Sequence, residues 1–215
     1  MHTWIGRRLT EGNAGRGDVN RHLMSVYAYP LEVYFRGTSD QWLGDPGDVV
    51  GGFFADRLAR PNFLADWQST GIRLRRWLMN AFCLYLKEAK RRHRRDTGHA
   101  ELPEESPTGA ANVDRDMDRA FAQSLTREAL SRTQQLCTEQ GLEAHWGIFV
   151  RHYYEEAPYD AVGREYGVDP PRAAVMARTA SRKFRQVMRD ILMRDGAEEE
   201  EVDREIQELL EVTGA

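Results

Sequence analysis

Six cationic side chains that lie close together in the chain could bind a polyanion. They follow Gly167 and the Pro170-Pro171 pair within one predicted helix: Arg172, Arg178, Arg182, Lys183, Arg185 and Arg189. Arginine and lysine side chains donate hydrogen bonds to phosphate oxygens, and the arginine fork also fits the edge of guanine. A second basic run, KRRHRR at 90–95, ends another predicted helix. These residues indicate nucleic-acid binding rather than catalysis.

Other kinds of chemistry have little support in the sequence. GNAGRG at 12–17 follows no strand and lacks the Gly-Lys-Ser/Thr ending of a phosphate-binding loop. His145 and His152 have no carboxylate at a spacing suited to a shared metal ion. Cys83 and Cys137 lie far apart in the chain, which favours two reduced thiols over a disulfide. We therefore expect no enzymatic activity, no metal site and no cofactor.

The net charge of −4 hides four segments of alternating sign. Residues 1–95 carry a charge of +7, residues 96–117 a charge of −5, residues 118–194 a charge of +2 and residues 195–215 a charge of −8. Segment 96–117 contains two prolines and two glycines, which is typical of a linker. We expect a first domain at 18–95, a flexible acidic linker at 96–117, a second domain at 118–194 and an acidic tail at 195–215.

Helical patterns dominate both expected domains. Apolar residues recur at spacings of three and four and strand-like alternation is nearly absent, so the predicted fold class is all-α. In the first domain, Asp45 and Pro46 form a helix-start pair, residues 60–72 are predicted as a loop, and a long helix should run from Arg73 to about Arg95. No apolar run reaches the length of a membrane span and no apolar signal core is present, so we expect a cytoplasmic protein without membrane contact.

The second domain contains a predicted helix-turn-helix. Residues 159–184, YDAVGREYGVDPPRAAVMARTASRKF, predict a short helix that ends at Gly167 and a longer helix over 171–193. Gly163 is small enough for the second helix to cross closely, and Asp169 is suited to cap it. A stripe of apolar residues should face the core: Ala173, Ala177, Ala180, Phe184, Met188 and Leu192. The alternative is a surface helix that is coated with arginine and binds no DNA.

The order of these segments resembles a known family. Over about residues 20–194, the chain resembles bacterial RNA polymerase sigma factors of the two-domain, extracytoplasmic-function type. YAYPLEVYFRG, DPGDVVGGFFADRL and RLRRWLMNAFCLYLKEAKRRHRR resemble the promoter-melting domain of that family. YDAVGREYGVDPPRAAVMARTASRKFRQVMRDIL resembles its upstream-promoter domain, and AEEEEVDREIQELL resembles a carboxyl-terminal extension of one branch. The resemblance implies a factor that binds core RNA polymerase, recognises promoter DNA, helps to open it, and is held inactive by an anti-sigma protein.

The resemblance also implies a polymerase contact on the first domain. The residues that match the polymerase-binding helix of the family are Asp45, Asp48, Val49 and Phe53. Arg75, Trp77 and Leu78 match the start of its downstream-promoter helix. Gly51 and Gly52 depart from the family pattern, and two interior glycines cost a helix about 1 kcal/mol each relative to alanine. Either a partner approaches closely there or the contact with polymerase is weaker.

DNA opening requires groups that hold unpaired bases and a cationic surface for the backbone. The expected base-capture residues are Asn62, Phe63, Trp67 and Gln68, although Phe63 and Trp67 could equally anchor the loop to the core. The expected DNA contacts on the first domain are Arg73, Arg75, Arg76, Trp77, Lys87, Lys90 and Arg91. Those on the second domain are Arg172, Ala174, Arg178, Arg182 and Lys183. Arg172 and Arg178 lie where a recognition helix reaches base edges.

Two alternatives and one question about the tail stay open. The chain could be a stand-alone helix-turn-helix regulator, or a degenerate sigma-like protein that serves mainly as an interaction partner. Val202, Ile206, Leu209 and Leu210 predict an amphipathic helix in the tail. That helix could pack on the second domain. Alternatively, the acids at 198–201 could compete with DNA phosphates for the basic helix at 171–193.

Overall fold

The computed structural model describes residues 4–97 and 110–213, and within that part of the chain every regular element is a helix. The all-α prediction is therefore confirmed. The chain divides into two compact units. The first unit holds the described residues of Met1–Ser124 together with Arg194–Ala197, and the second holds those of Leu125–Met193 together with Glu198–Ala215.

The first unit is built from short and long helices in sequence. They are α1 (Trp4–Thr10), α2 (Gly12–Arg36), a 3-10 turn (Gln41–Leu43), α3 (Pro46–Leu58), α4 (Phe63–Thr70), α5 (Leu74–Thr97) and the first half of α6 (Ala110–Glu139). Helix α3 starts where the sequence predicts, because Oδ1 of Asp45 accepts a hydrogen bond from the backbone N–H of Gly47 at 2.8 Å. Helix α5 begins within one residue of its predicted start.

The structure differs from the sequence-based expectations in two segments. Residues 60–72 are not a loop, since α4 occupies most of that segment and ends at Gly71 in the left-handed conformation, with φ of +68°. The predicted linker at 96–117 is helical at both ends, because α5 continues to Thr97 and α6 already begins at Ala110. The rest of that linker lies outside the described residues.

The first unit is also larger than the expected domain at 18–95. Helix α1 packs on α2, and Gly15 makes this possible, because a Cβ there would overlap the backbone oxygen of Arg8. Met117, Ala120 and Phe121 of α6 are buried and belong to the same unit. The unit thus recruits apolar surface from both sides of the segment that the sequence assigned to one domain.

Aromatic rings fill the centre of the first unit. The ring centre of Phe53 lies 5.2 Å from that of Phe82 and 5.7 Å from that of Tyr85, and both ring pairs are in edge-to-face contact. Gly52 leaves room for the hydroxyl group of Tyr85, because a Cβ at Gly52 would lie 2.8 Å from that oxygen. The close neighbour of this glycine is therefore α5 of the same chain. Gly51, in contrast, has open space around its missing side chain.

The second unit contains the rest of α6, then α7 (Glu143–Tyr153), α8 (Tyr159–Tyr166), α9 (Pro170–Arg194, whose last residue is in the first unit) and α10 (Glu199–Thr213). All six apolar positions predicted to face the core on α9 are buried, together with Met176, Val187 and Ile191. The amphipathic helix predicted in the tail is confirmed as α10, with Val202, Ile206 and Leu209 buried.

Candidate nucleic-acid interface

The turn between α8 and α9 has the geometry that the sequence predicts. Gly167 adopts the left-handed conformation with φ of +67°, which ends α8, and the N–H of Val168 donates to the carbonyl oxygen of Gly163 at 2.9 Å. A Cβ on Gly163 would lie 2.6 Å from the backbone oxygen of Val168, so only glycine fits there without a backbone shift. Oδ1 of Asp169 accepts from the N–H of Arg172 at 2.7 Å and caps α9.

A small apolar core fixes α8 and α9 against α7. Ile148, Val162, Ala173, Met176 and Ala177 form one buried cluster. The side chains of Ala157, Tyr159, Tyr166 and Val168 pack around it. Because the cluster takes residues from all three helices, the angle between α8 and α9 is set by packing rather than by the turn alone. A short helix, a turn that contains glycine and a longer helix are the elements of a helix-turn-helix, with α9 in the place of the second helix.

The outer face of α9 is exposed and cationic. Arg172, Arg178, Arg182 and Arg185 are exposed, and none of their guanidinium groups forms an ion pair with a described residue. Exposed cations without an internal partner are available to an external anion. The five DNA contacts predicted on this helix therefore differ in access: Arg172, Arg178 and Arg182 are exposed, whereas Ala174 and Lys183 are half-buried.

Two further cations of α9, Lys183 and Arg189, are engaged within the second unit. Nζ of Lys183, which is half-buried, lies 2.5 Å from Oε1 of Gln140. Nη1 of Arg189 donates to Oδ1 of Asp203 at 2.8 Å, and its Nη2 lies 3.8 Å from Oε1 of Glu199. The basic face of α9 is thus free near the turn and partly neutralised by α10 further along.

The histidines of α7 serve packing. Burial lowers the pKa of His145, and the nearby charges of Arg172 and Lys183 lower it further. The ring of His152 stacks on that of Tyr159 with centroids 3.7 Å apart, and its Nδ1 lies 3.0 Å from the carbonyl oxygen of Ala157. Within residues 4–97 and 110–213, no group of three or more His, Cys, Asp or Glu side chains is arranged to hold a metal ion.

The start of α5 brings three predicted DNA contacts together. Arg73, Arg75 and Arg76 line one open cavity of about 270 Å³ with Met79, Met117 and Asp118. Of the three arginines, only Arg76 is exposed. The guanidinium of Arg75 lies 5.1 Å from the ring centre of Phe121. The half-buried ring of Trp77 lies 5.8 Å from that of Phe63. Trp77 is therefore a packing residue in this structure.

Asp195 is fully buried beside these arginines. Its Oδ1 accepts from the hydroxyl of Tyr27 at 2.6 Å and from the backbone N–H of Arg75 at 2.9 Å, and its Oδ2 accepts from Nε of Arg73 at 2.9 Å. Its carbonyl oxygen accepts from the N–H of Leu74 at 2.9 Å. Burial raises the pKa of Asp195, and its cationic and hydrogen-bonding neighbours offset this in part. Burial also raises the pKa of Tyr27, which stays a donor.

This network is not evident from the sequence, in which Asp195 is one of many acids in the tail at 195–215. Its partner Arg73 is 122 positions away, and no spacing within the tail indicates it. A weak signal exists in Gly196, which follows Asp195 and has φ of +90°. A glycine immediately after a helix marks a turn, so it separates Asp195 from the acidic run that follows.

The far end of α5 is rich in basic residues, which differ in exposure. Lys87 and Arg91 are exposed, as expected for contacts to a DNA backbone. Lys90 is half-buried, and its Nζ lies 3.2 Å from Oδ1 of Asp40. The guanidinium of Arg92 lies 5.8 Å from the ring centre of Tyr85. Lys87 and Arg91 are thus better placed than Lys90 to bind phosphate.

The expected base-capture residues are divided between core and surface. Phe63 and Trp67 are 8% and 3% exposed, and Nε1 of Trp67 donates to the carbonyl oxygen of Ile72 at 2.9 Å. Neither ring can stack on a base in this structure, so the anchoring alternative holds for both. Asn62 and Gln68 are exposed on either side of the buried rings.

The expected polymerase contacts on α3 are divided in the same way. Asp45 and Asp48 are exposed at the start of the helix, and Val49 is half-buried. Phe53 has no exposed surface, because it packs against the rings of α5. A partner could reach the two acids directly but could not touch Phe53 without a rearrangement of the core.

Comparison of the chain with known protein families, with curated proteins and with solved structures finds no match. None of the helices in the described part of the chain combines the length and the apolar character that crossing a membrane requires.

Proposed function

We propose that the chain is a sigma-type transcription-initiation factor that binds promoter DNA through α8 and α9 and binds core RNA polymerase through its first unit. The observation that carries the proposal is the outer face of α9, where exposed arginines without internal ion pairs follow a tightly built turn. A second helix of this kind fits the major groove, and its first turns reach base edges.

The polymerase contact rests on the sequence resemblance together with the exposed acids at the start of α3. Asp45 caps that helix and Asp48 lies in its first turn, so both carboxylates project beside its amino-terminal end. The opening of DNA would use the exposed cations of α5, Arg76, Lys87 and Arg91, to hold the backbone. An anti-sigma protein as a partner and a place in the cytoplasm belong to the same proposal.

One observation favours a second candidate, a stand-alone helix-turn-helix regulator. Phe53, Phe63 and Trp67 carry much of the chemistry expected for polymerase binding and base capture, and all three are buried. A regulator of duplex DNA needs none of them at the surface. The two candidates share α9 and differ in their requirement for polymerase.

The experiment that separates them uses the full chain and bacterial core RNA polymerase. We expect the chain to co-elute with core enzyme and to direct run-off transcription from templates that carry a duplex it selects. Asp48→Lys should reduce retention on core enzyme. Asp66→Lys is the matched control, because Asp66 is also an exposed acid in the first turn of a helix in the same unit. DNA binding without co-elution or transcription would favour the regulator.

Equal retention of both charge reversals would remove the start of α3 from the polymerase interface. Both substitutions place a cation at a helix start, which costs about 0.3–1 kcal/mol in each case, so a difference between them does not come from helix stability.

A further inference from the structure

Val175 is exposed at the centre of the cationic face of α9. Its exposed fraction of 52% is higher than that of any other large apolar side chain in the described part of the second unit. Arg172 and Arg178 lie three residues before and three residues after it, and both are exposed. Residues that are three apart are neighbours on one helix face, so the valine stands between the two arginines.

Apart from the two flanking arginines, the neighbours of Val175 on α9 provide no free polar donor. Ala174 is half-buried, and the hydroxyl of Thr179 donates to the carbonyl oxygen of Val175 at 3.0 Å. The residue between the two arginines therefore presents an apolar side chain to solvent. A β-branched residue lowers helix propensity relative to alanine, so helix stability does not account for a valine at this exposed position.

We propose that Val175 is a specificity-determining residue that contacts the C5-methyl group of a thymine in the major groove. This inference rests on the proposed function, since it requires α9 to lie in that groove. Thymine is the DNA base that presents a methyl group there, and an apolar side chain recognises it by burying that group. The flanking arginines are suited to O6 and N7 of guanine.

The spacing of these side chains limits where the thymine can lie. Three residues of α-helix rise about 4.5 Å, and successive bases on one strand are about 3.4 Å apart. Val175 should thus contact a base pair within about one step of each guanine bound by Arg172 or Arg178. The expected recognition element has a thymine between two guanines, with each base on either strand.

The test compares thymine with uracil, which differ by that single methyl group. The full chain is first used to select duplexes from a randomised library, and the best duplex is then resynthesised with deoxyuridine in place of each thymine in turn. We expect the wild-type chain to lose roughly three- to fivefold in affinity at one or two of these positions, the value that burial of one methyl group gives. Val175→Ala should bind the thymine and uracil duplexes equally at those positions.

Met193→Ala is the matched control, because Met193 is also an exposed apolar residue of α9 but lies at its far end. It should keep the wild-type ratio of thymine to uracil affinity, and circular dichroism should show both variants as helical as the wild type. Equal wild-type affinity for every uracil duplex, or an unchanged ratio in Val175→Ala, would overturn the inference while DNA binding stands. A chain that binds no duplex at all would overturn the proposed function as well.

Discussion

Nε of Arg73 lies 2.9 Å from Oδ2 of Asp195, a carboxylate with no exposed surface. Arg73 immediately precedes α5 and Asp195 immediately follows α9. The ion pair therefore joins two residues of the first unit that are far apart in the chain. Tyr27 and the backbone N–H of Arg75 complete the set of donors. An arginine that the sequence assigned to DNA phosphates therefore has an internal role in the fold.

Replacement of Asp195 should destabilise the chain strongly. Asp195→Ala leaves a charged donor, a hydroxyl and a backbone N–H without their acceptor, which typically costs about 3–5 kcal/mol in free energy of unfolding. Asp190→Ala is the matched control, because Asp190 is an exposed acid near the end of α9, five residues before Asp195, and it should change stability by less than about 0.5 kcal/mol. Denaturant unfolding of the two variants measures both values. Equal, small losses would mean that the network adds little stability.

The same carboxylate should give stability an unusual pH dependence. Burial raises the pKa of Asp195 above its value in the unfolded chain, so the folded chain binds this proton more tightly. The resulting stabilisation is present below the unfolded pKa, about 3.9, and is lost as pH rises through the folded pKa. Asp195→Asn lacks this titration.

Unfolding of the wild type and of Asp195→Asn should therefore be measured from about pH 3 upward. We expect the stability of the wild type, relative to the variant, to decrease as pH rises. A relative stability that increases with pH would show that the neighbouring cations lower the pKa of Asp195 more than burial raises it.

A methyl group at Gly163 should disturb the turn between α8 and α9. The added Cβ would lie 2.6 Å from the backbone oxygen of Val168, and forced overpacking costs about 1–3 kcal/mol. Gly51→Ala is the matched control within another helix, because nothing lies within 4 Å of its added Cβ. It should instead stabilise the chain by up to about 1 kcal/mol through helix propensity. Thermal unfolding should show a lower melting temperature for Gly163→Ala and a higher one for Gly51→Ala.

Removal of α10 should destabilise the second unit. Val202, Ile206 and Leu209 are buried on this helix. Truncation of one such side chain to alanine already costs about 2–5 kcal/mol. Deletion of residues 199–215 should thus lower the melting temperature, as expected if α10 is mainly a packing element. An unchanged melting temperature would contradict this expectation.

Neutralising acidic side chains of α10 distinguishes a role of this helix in packing from a role in competing with DNA. The double variant Glu199→Gln and Asp203→Asn keeps the apolar stripe of α10 but removes both acids near Arg189. If α10 also restrains DNA binding, duplex affinity at low salt should rise, and the gain should fade as salt screens the charges. Unchanged affinity at every salt concentration would restrict α10 to packing.

Local chemistry accounts for the elements that the sequence predicts well. The start of α3 depends on Asp45 and Pro46, and the turn before α9 depends on Gly163, Gly167 and Asp169, which all act within a few residues. Their roles follow from backbone geometry and capping, so they are visible without tertiary structure.

The sequence-based expectations that differ from the structure concern residues whose role depends on partners far away in the chain. Phe63 and Trp67 lie in a segment with many polar residues, but packing against the rest of the unit buries their rings and turns the segment into a helix. Asp195 is chemically identical to the solvated acids that follow it, and only the position of Arg73 distinguishes it. Val175 was overlooked because a valine carries no chemical signal until its exposure is known.

The central claim is that the outer face of α9 recognises DNA sequence. Its most direct test is to measure the affinity of Arg178→Ala for a set of single-base variants of the selected duplex. Loss of an arginine–guanine contact should cost about 1–3 kcal/mol and should abolish the preference at one or two base positions. Arg91→Ala on α5 is the control for a backbone contact; it should weaken binding to all sequences alike and make the salt dependence shallower. The proposed function predicts that sequence preference relaxes for Arg178→Ala and persists for Arg91→Ala. Wild-type affinity and unchanged sequence preference in both Arg172→Ala and Arg178→Ala would contradict it.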